Sequence, residues 1–166
     1  MPESFDVPTY RQAIPTIAAE LRRARRFEHP LTVMVVSPHD PTGAEERAKR
    51  GFALRPRVEA TPPLYFLLGS LLGNVLRETD ILSAAPEVLS YVVVLAETEQ
   101  AGADDAARRI REAFRGCAGV ELRVGTATFP ADGVTLEALF ASASEAWESS
   151  AALETPTHVQ AGVAHG

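Results

Sequence analysis

Residues 124–147 read VGTATFPADGVTLEALFASASEAW. The run VELRVGTATF (residues 120–129) is β-prone and reads as a strand. PADG follows, with Pro130 and Gly133 placed for a turn. Thr135 then offers a hydroxyl as N-cap to a final helix that includes Trp147. Gly125-x-Ala127-x-x-Pro130-x-Asp132-Gly133 ahead of a helix of that length is a pattern chance seldom assembles, and it decides the fold.

Upstream, EQAGADDAARRIREAF (residues 99–114) sets Ala103, Ala106, Ile110 and Phe114 on one helical face. DILSAA (80–85) and SYVVVLAE (90–97) are β-prone runs joined by PEVL, which predicts a hairpin. Before them, Pro62-Pro63 opens a helix whose Leu64, Leu67, Leu68, Leu71, Leu72, Val75 and Leu76 share a face. Leu31 to Val36 is a continuous apolar run, the mark of a strand buried on two sides. It follows an amphipathic helix with Ile14, Ile17, Ala18, Leu21 and Ala24 inward, and Pro15 suits that helix's first turn. The order predicts an α+β fold: a ferredoxin-like central antiparallel sheet flanked by helices, expected to pack on one face. Residues 1–8 read as a flexible leader, 9–153 as the domain and 154–166 as a disordered tail. Residues 37–62 are irregular, with room for a short helix near Gly43 to Arg50.

The 166 residues are 46% apolar and 23% charged, ordinary for one globular domain. A net charge of -6 argues against nucleic-acid binding through a basic surface. The dense run Arg22 to Arg26 fits a solvated helix face. Cys117 is the single cysteine, so no internal disulfide forms. No secretion signal and no apolar run long enough for a membrane span is present, which predicts a cytoplasmic protein.

The phrases ELRRARRFEHPLTVMVV, LLGNVLRETDILSAA and YVVVLAETEQAGADDAARRIREAF, together with the opening stretch, resemble the GGDEF domain of diguanylate cyclases over most of residues 19–147. That family joins two GTP molecules into cyclic di-GMP, one held by each subunit of a transient dimer. The glycines of its GGDEF turn let the backbone approach the nucleotide. Acidic residues of the turn, with an Asp at the end of the first central strand, hold Mg²⁺ through hard oxygen ligands.

This chain departs from that pattern. Aligning Tyr91 with the family's Phe leaves Glu87, Val88, Leu89 and Ser90 where Gly-Gly-Asp-Glu stands. Val88 and Leu89 have no metal-binding atom, and neither favours positive φ. Ser37 occupies the place of the metal Asp, with Asp40 nearby but out of register. The Lys after the last helix and the N-terminal Asp-x-Leu-Thr are missing as well. The resemblance therefore implies a degenerate cyclase with no catalytic residues, no metal and no cofactor.

What remains is the family's second, inhibitory site, Arg-x-x-Asp before the turn plus an Arg on the next helix. RETD supplies Arg77 and Asp80, and counting from Tyr91 places Arg109 third. A guanidinium offers paired donors to guanine O6 and N7 or to phosphate. A carboxylate accepts from guanine N1–H and N2–H. The resemblance implies a cyclic di-GMP receptor, with a ligand-mediated homodimer or a separate effector protein carrying the output. The alternative is a surface ion pair worth ~0–1 kcal/mol on a nucleotide-independent interaction scaffold. His39 beside Asp40 is too sparse for a metal site. Cys117 reads as semi-buried, and Phe140, Trp147, Tyr65 and Phe66 read as core.

Overall fold

The computed structural model describes residues 7–39 and 62–164, with side chains up to residue 150. The short helix expected near residues 43–50, Asp40 and most of the expected leader lie outside the described residues.

Helix α1 (Tyr10–Phe27) leads into strand β1 (Leu31–His39). Helix α2 (Pro62–Val75) precedes β2 (Ile81–Ala85), a 3₁₀ turn (Pro86–Val88) and β3 (Ser90–Ala96). Then come α3 (Gln100–Ala118), β4 (Glu121–Phe129) and α4 (Leu136–Ala164). The sheet order is β2-β3-β1-β4, and every pairing is antiparallel. The hairpin and the strand–turn–helix of the opening stretch stand where the sequence put them.

One expectation changes. Helices cover both faces of the sheet, not one. Leu68, Leu72, Ala107, Ile110 and Phe114 pack on Met34, Val36, Val93 and Leu95. Ile17, Leu21, Ala24, Leu139 and Ala143 pack on Leu31, Val33, Val35 and Val94. The reason lies in β1 and β3, which are apolar at successive positions. Seven consecutive residues of β3 are buried, and such a strand needs cover on both sides.

Details of the helices also differ. α1 starts at Tyr10, so Pro15 falls inside it and not in its first turn. Its start is fixed by a capping box: Thr9 Oγ1 accepts from Gln12 N at 3.1 Å, and Gln12 Oε1 accepts from Thr9 N at 3.0 Å. Pro8 is held too, because its carbonyl accepts from Ala84 N at 2.8 Å. Ala103 and Ala107 are the buried alanines of α3, with Ala106 at the margin. Cys117 is exposed. Ile14, Leu67 and Val75 are exposed as well, whereas Tyr65 is core and Phe66 is half open. α4 runs to Ala164, beyond residue 153 where the sequence ended the domain.

α4 crosses β4 at close range. A Cβ on Gly125 would lie 2.1 Å from Trp147 N and 2.3 Å from the Ala143 carbonyl oxygen. Only a residue without a side chain fits that crossing.

Candidate functional site

After α2 ends, RETD folds back on itself. Asp80 N donates to the Arg77 carbonyl at 3.0 Å, and Asp80 Oδ2 accepts from Arg77 N at 2.9 Å. The guanidinium completes the loop, with Nε 3.3 Å from Oδ2 and Nη2 2.9 Å from Oδ1. Ala96 N also donates to Oδ1 at 3.3 Å. Arg77 Nη2 further reaches the Ala96 carbonyl at 2.9 Å and Thr98 Oγ1 at 3.0 Å. The hydrogen bond to Asp80 raises the Arg77 pKa above its ordinary value, against the smaller pull of burial.

The two side chains differ in exposure. Asp80 is 3% exposed and Arg77 57%. Asp80 was expected to accept from a guanine edge. Four hydrogen bonds from the protein already meet its two oxygens, so it stands as the holder of Arg77.

Arg109 projects from α3, with Nε 3.8 Å from Asp105 Oδ2 one turn earlier. Asp105 also pairs with Arg108. Arg77, Asp80 and Arg109 all line one cleft of about 760 Å³ between the end of α2, the end of β3 and the first half of α3. Its walls are apolar at Val75, Leu76, Leu95 and Ile110. Sequence reading missed Thr98, Glu97, Glu99 and Asp105, which share the lining. The Asp105–Arg109 spacing of four was legible as a helical ion pair. Thr98 carried no signal, because its role depends on where β3 ends.

The positions that the resemblance assigns to Mg²⁺ are differently furnished. Ser37 is buried, and its Oγ accepts from the Trp147 indole N–H at 3.0 Å. In the β2–β3 turn, Val88 is exposed and Leu89 packs its aliphatic side chain against the core. Leu89 does take positive φ, at 52°, against expectation; its packing offsets a strain of about 1–2 kcal/mol. Val88 and Leu89 carry no side-chain oxygen for a hard cation such as Mg²⁺. Among the described residues, no helix is long and apolar enough to cross a membrane.

The overall arrangement matches solved structures. The GGDEF domain of TpbB (YfiN) from Pseudomonas aeruginosa superposes with a TM-score of 0.65, 19% identity, and 90% of this chain and 88% of that one covered. The chain has the GGDEF-domain fold. A sensory box/GGDEF family protein from Caulobacter crescentus gives 0.65 at 20% identity, covering 86% of this chain and 91% of that one. A microbial GGDEF domain whose structure describes its interaction with cyclic di-GMP gives 0.64 at 12% identity, with 88% of each chain covered. No family model matches the sequence, and no curated protein does.

Proposed function

We propose that this GGDEF-fold domain is a cyclic di-GMP receptor without cyclase activity. The observation that carries the reading is the convergence of Arg77, Asp80 and Arg109 on one cleft. Arg77 and Arg109 supply guanidinium groups to guanine or phosphate oxygens. Asp80 fixes the direction of Arg77. The apolar walls suit a purine face. A similar fold is known with this dinucleotide, which supports the ligand class. The loss of cyclisation follows from Ser37, Val88 and Leu89, which offer no metal-binding set. Output passes through a ligand-bridged pair or an effector protein.

Titration calorimetry with cyclic di-GMP tests the reading. The expected result is micromolar binding, lost in Arg77→Ala and Arg109→Ala. Incubation with GTP and Mg²⁺ is expected to yield no cyclic product; any turnover refutes the inactive state.

One observation favours a second reading, a nucleotide-independent scaffold. Arg77 and Asp80 satisfy each other, and Arg109 has Asp105 beside it. Absence of heat at ~1 mM ligand, an affinity no tighter than about -4 kcal/mol, selects the scaffold.

A further inference from the structure

A guanine in the cleft has a need that Asp80 does not meet. Its Watson–Crick edge sets two donors, N1–H and N2–H, beside the O6 acceptor, and a donor left unpaired on binding is costly. Arg77 and Ala96 N already meet both Asp80 oxygens. Three other carboxylates line the cleft: Glu97, Glu99 and Asp105. Glu97 turns to α1, where its Oε2 lies 3.4 Å from His29 Nδ1 and 3.9 Å from Arg23 Nη2. Glu99 is the N-cap residue of α3 and stands on the ridge shared with the neighbouring cleft of His29 and Asp132. Asp105 is placed differently. It lies one turn before Arg109 on the same face of α3, with Oδ2 3.8 Å from Arg109 Nε. Its side chain is 52% exposed. Arg108 takes Oδ1, and Oδ2 keeps room for a further donor.

Charge decides which part of the ligand enters. Four carboxylates and two guanidiniums line the cleft. A phosphodiester drawn into it meets net negative charge, and an uncharged base does not. The apolar walls at Leu95 and Ile110 suit the base as well. Taking the chain as a cyclic di-GMP receptor, as above, we propose that Asp105 is the specificity-determining residue of the cleft. Its carboxylate accepts from guanine N1–H and N2–H while Arg109 beside it donates to O6, with the base inward and the phosphates outward. Adenine carries a donor at N6 and an acceptor at N1. Its amino group would face the guanidinium and its N1 the carboxylate, donor against donor and acceptor against acceptor. The pair Asp105–Arg109 therefore selects guanine.

Titration calorimetry with three ligands tests this: cyclic di-GMP, cyclic di-AMP, and cyclic di-IMP, whose base is guanine without the 2-amino group. The wild type should prefer cyclic di-GMP to cyclic di-AMP by ~100-fold or more, because the wrong base leaves polar groups unpaired. Asp105→Asn presents a donor and an acceptor together. It should weaken cyclic di-GMP about 10- to 100-fold, the loss of a hydrogen bond to a charged group, and narrow the preference over cyclic di-AMP to about threefold or less. Asp105→Ala should bind cyclic di-GMP and cyclic di-IMP alike, since the 2-amino group then has no partner. Circular dichroism should stay unchanged in both variants, because the side chain is exposed. A carboxylate that merely balances Arg108 and Arg109 predicts the opposite, that its removal tightens all three anions alike. That result, or an unaltered preference in Asp105→Asn, overturns the role of Asp105 and leaves the receptor standing. A wild type that gives no heat with any of the three ligands overturns the receptor, and the role of Asp105 with it.

Discussion

Asp80 and Arg77 are joined twice through the guanidinium and once through the Arg77 backbone nitrogen, with the carboxylate buried and the guanidinium open to solvent. This asymmetry separates what each residue does. Asp80 also caps Ala96 N and so ties the α2–β2 connection to the end of β3. Asp80→Ala removes the acceptor for all these donors and should cost about 2 kcal/mol. Arg77→Ala leaves the backbone donors in place and should cost about 1 kcal/mol or less. Urea denaturation of the two variants checks the order; equal losses would show that the backbone bonds contribute nothing.

Tyr65 and Tyr91 stack at 4.4 Å, and each hydroxyl donates to a backbone carbonyl, of Ser90 and Tyr65 respectively. Burial is the main cause that pushes the Tyr65 phenol up from 10.0 to about 12, and burial raises Tyr91 as well. A raised phenol pKa means the folded state favours the neutral form. That stability is fully present below pH 10 and is lost as pH rises through the folded value of about 12. Alkaline unfolding monitored by circular dichroism should therefore steepen in that window. Tyr91→Phe should flatten it, and an unchanged slope in that variant would refute the assignment.

Gly125→Ala places a methyl group against the backbone of α4. The obstacle is main chain, so the helix must shift. The expected loss is about 3 kcal/mol or more. Trp147, the single tryptophan, lies at the crossing. Its emission should shift to the red as its packing loosens. A variant with wild-type stability and emission would contradict the crossing geometry.

Leu89→Gly removes strain at φ 52° and also removes a side chain packed against the core. The first effect stabilises by about 1–2 kcal/mol and the second destabilises by a similar ~1–2 kcal/mol. The net change in the urea midpoint should be close to zero. A large loss would mean that Leu89 packing dominates the turn.

The element order was legible because apolar periodicity changes sharply between helix and strand, and because Pro130, Asp132 and Gly133 mark the last turn. β1 was read as a strand buried on two sides, yet the helices were placed on one face; its own burial already required the opposite. α2 misled in a different way. Where nearly every residue is apolar, a leucine pattern cannot say which face turns inward, and Leu67 and Val75 proved exposed while Tyr65 is core. Arg77, Asp80 and Arg109 could be named from spacing and resemblance. The filled acceptors of Asp80 could not, because Ala96 N and Thr98 reach the cleft only through strand pairing.

The hydrogen bond from Trp147 to Ser37 bears on how this chain could change over generations. An Asp at position 37 would sit almost out of reach of water, under the indole and beneath α4. Its carboxylate would lose water and would have the Trp147 indole N–H and the cross-strand Arg123 guanidinium as its partners. A change at position 37 is therefore felt first by α4, which Gly125 lets lie against the sheet.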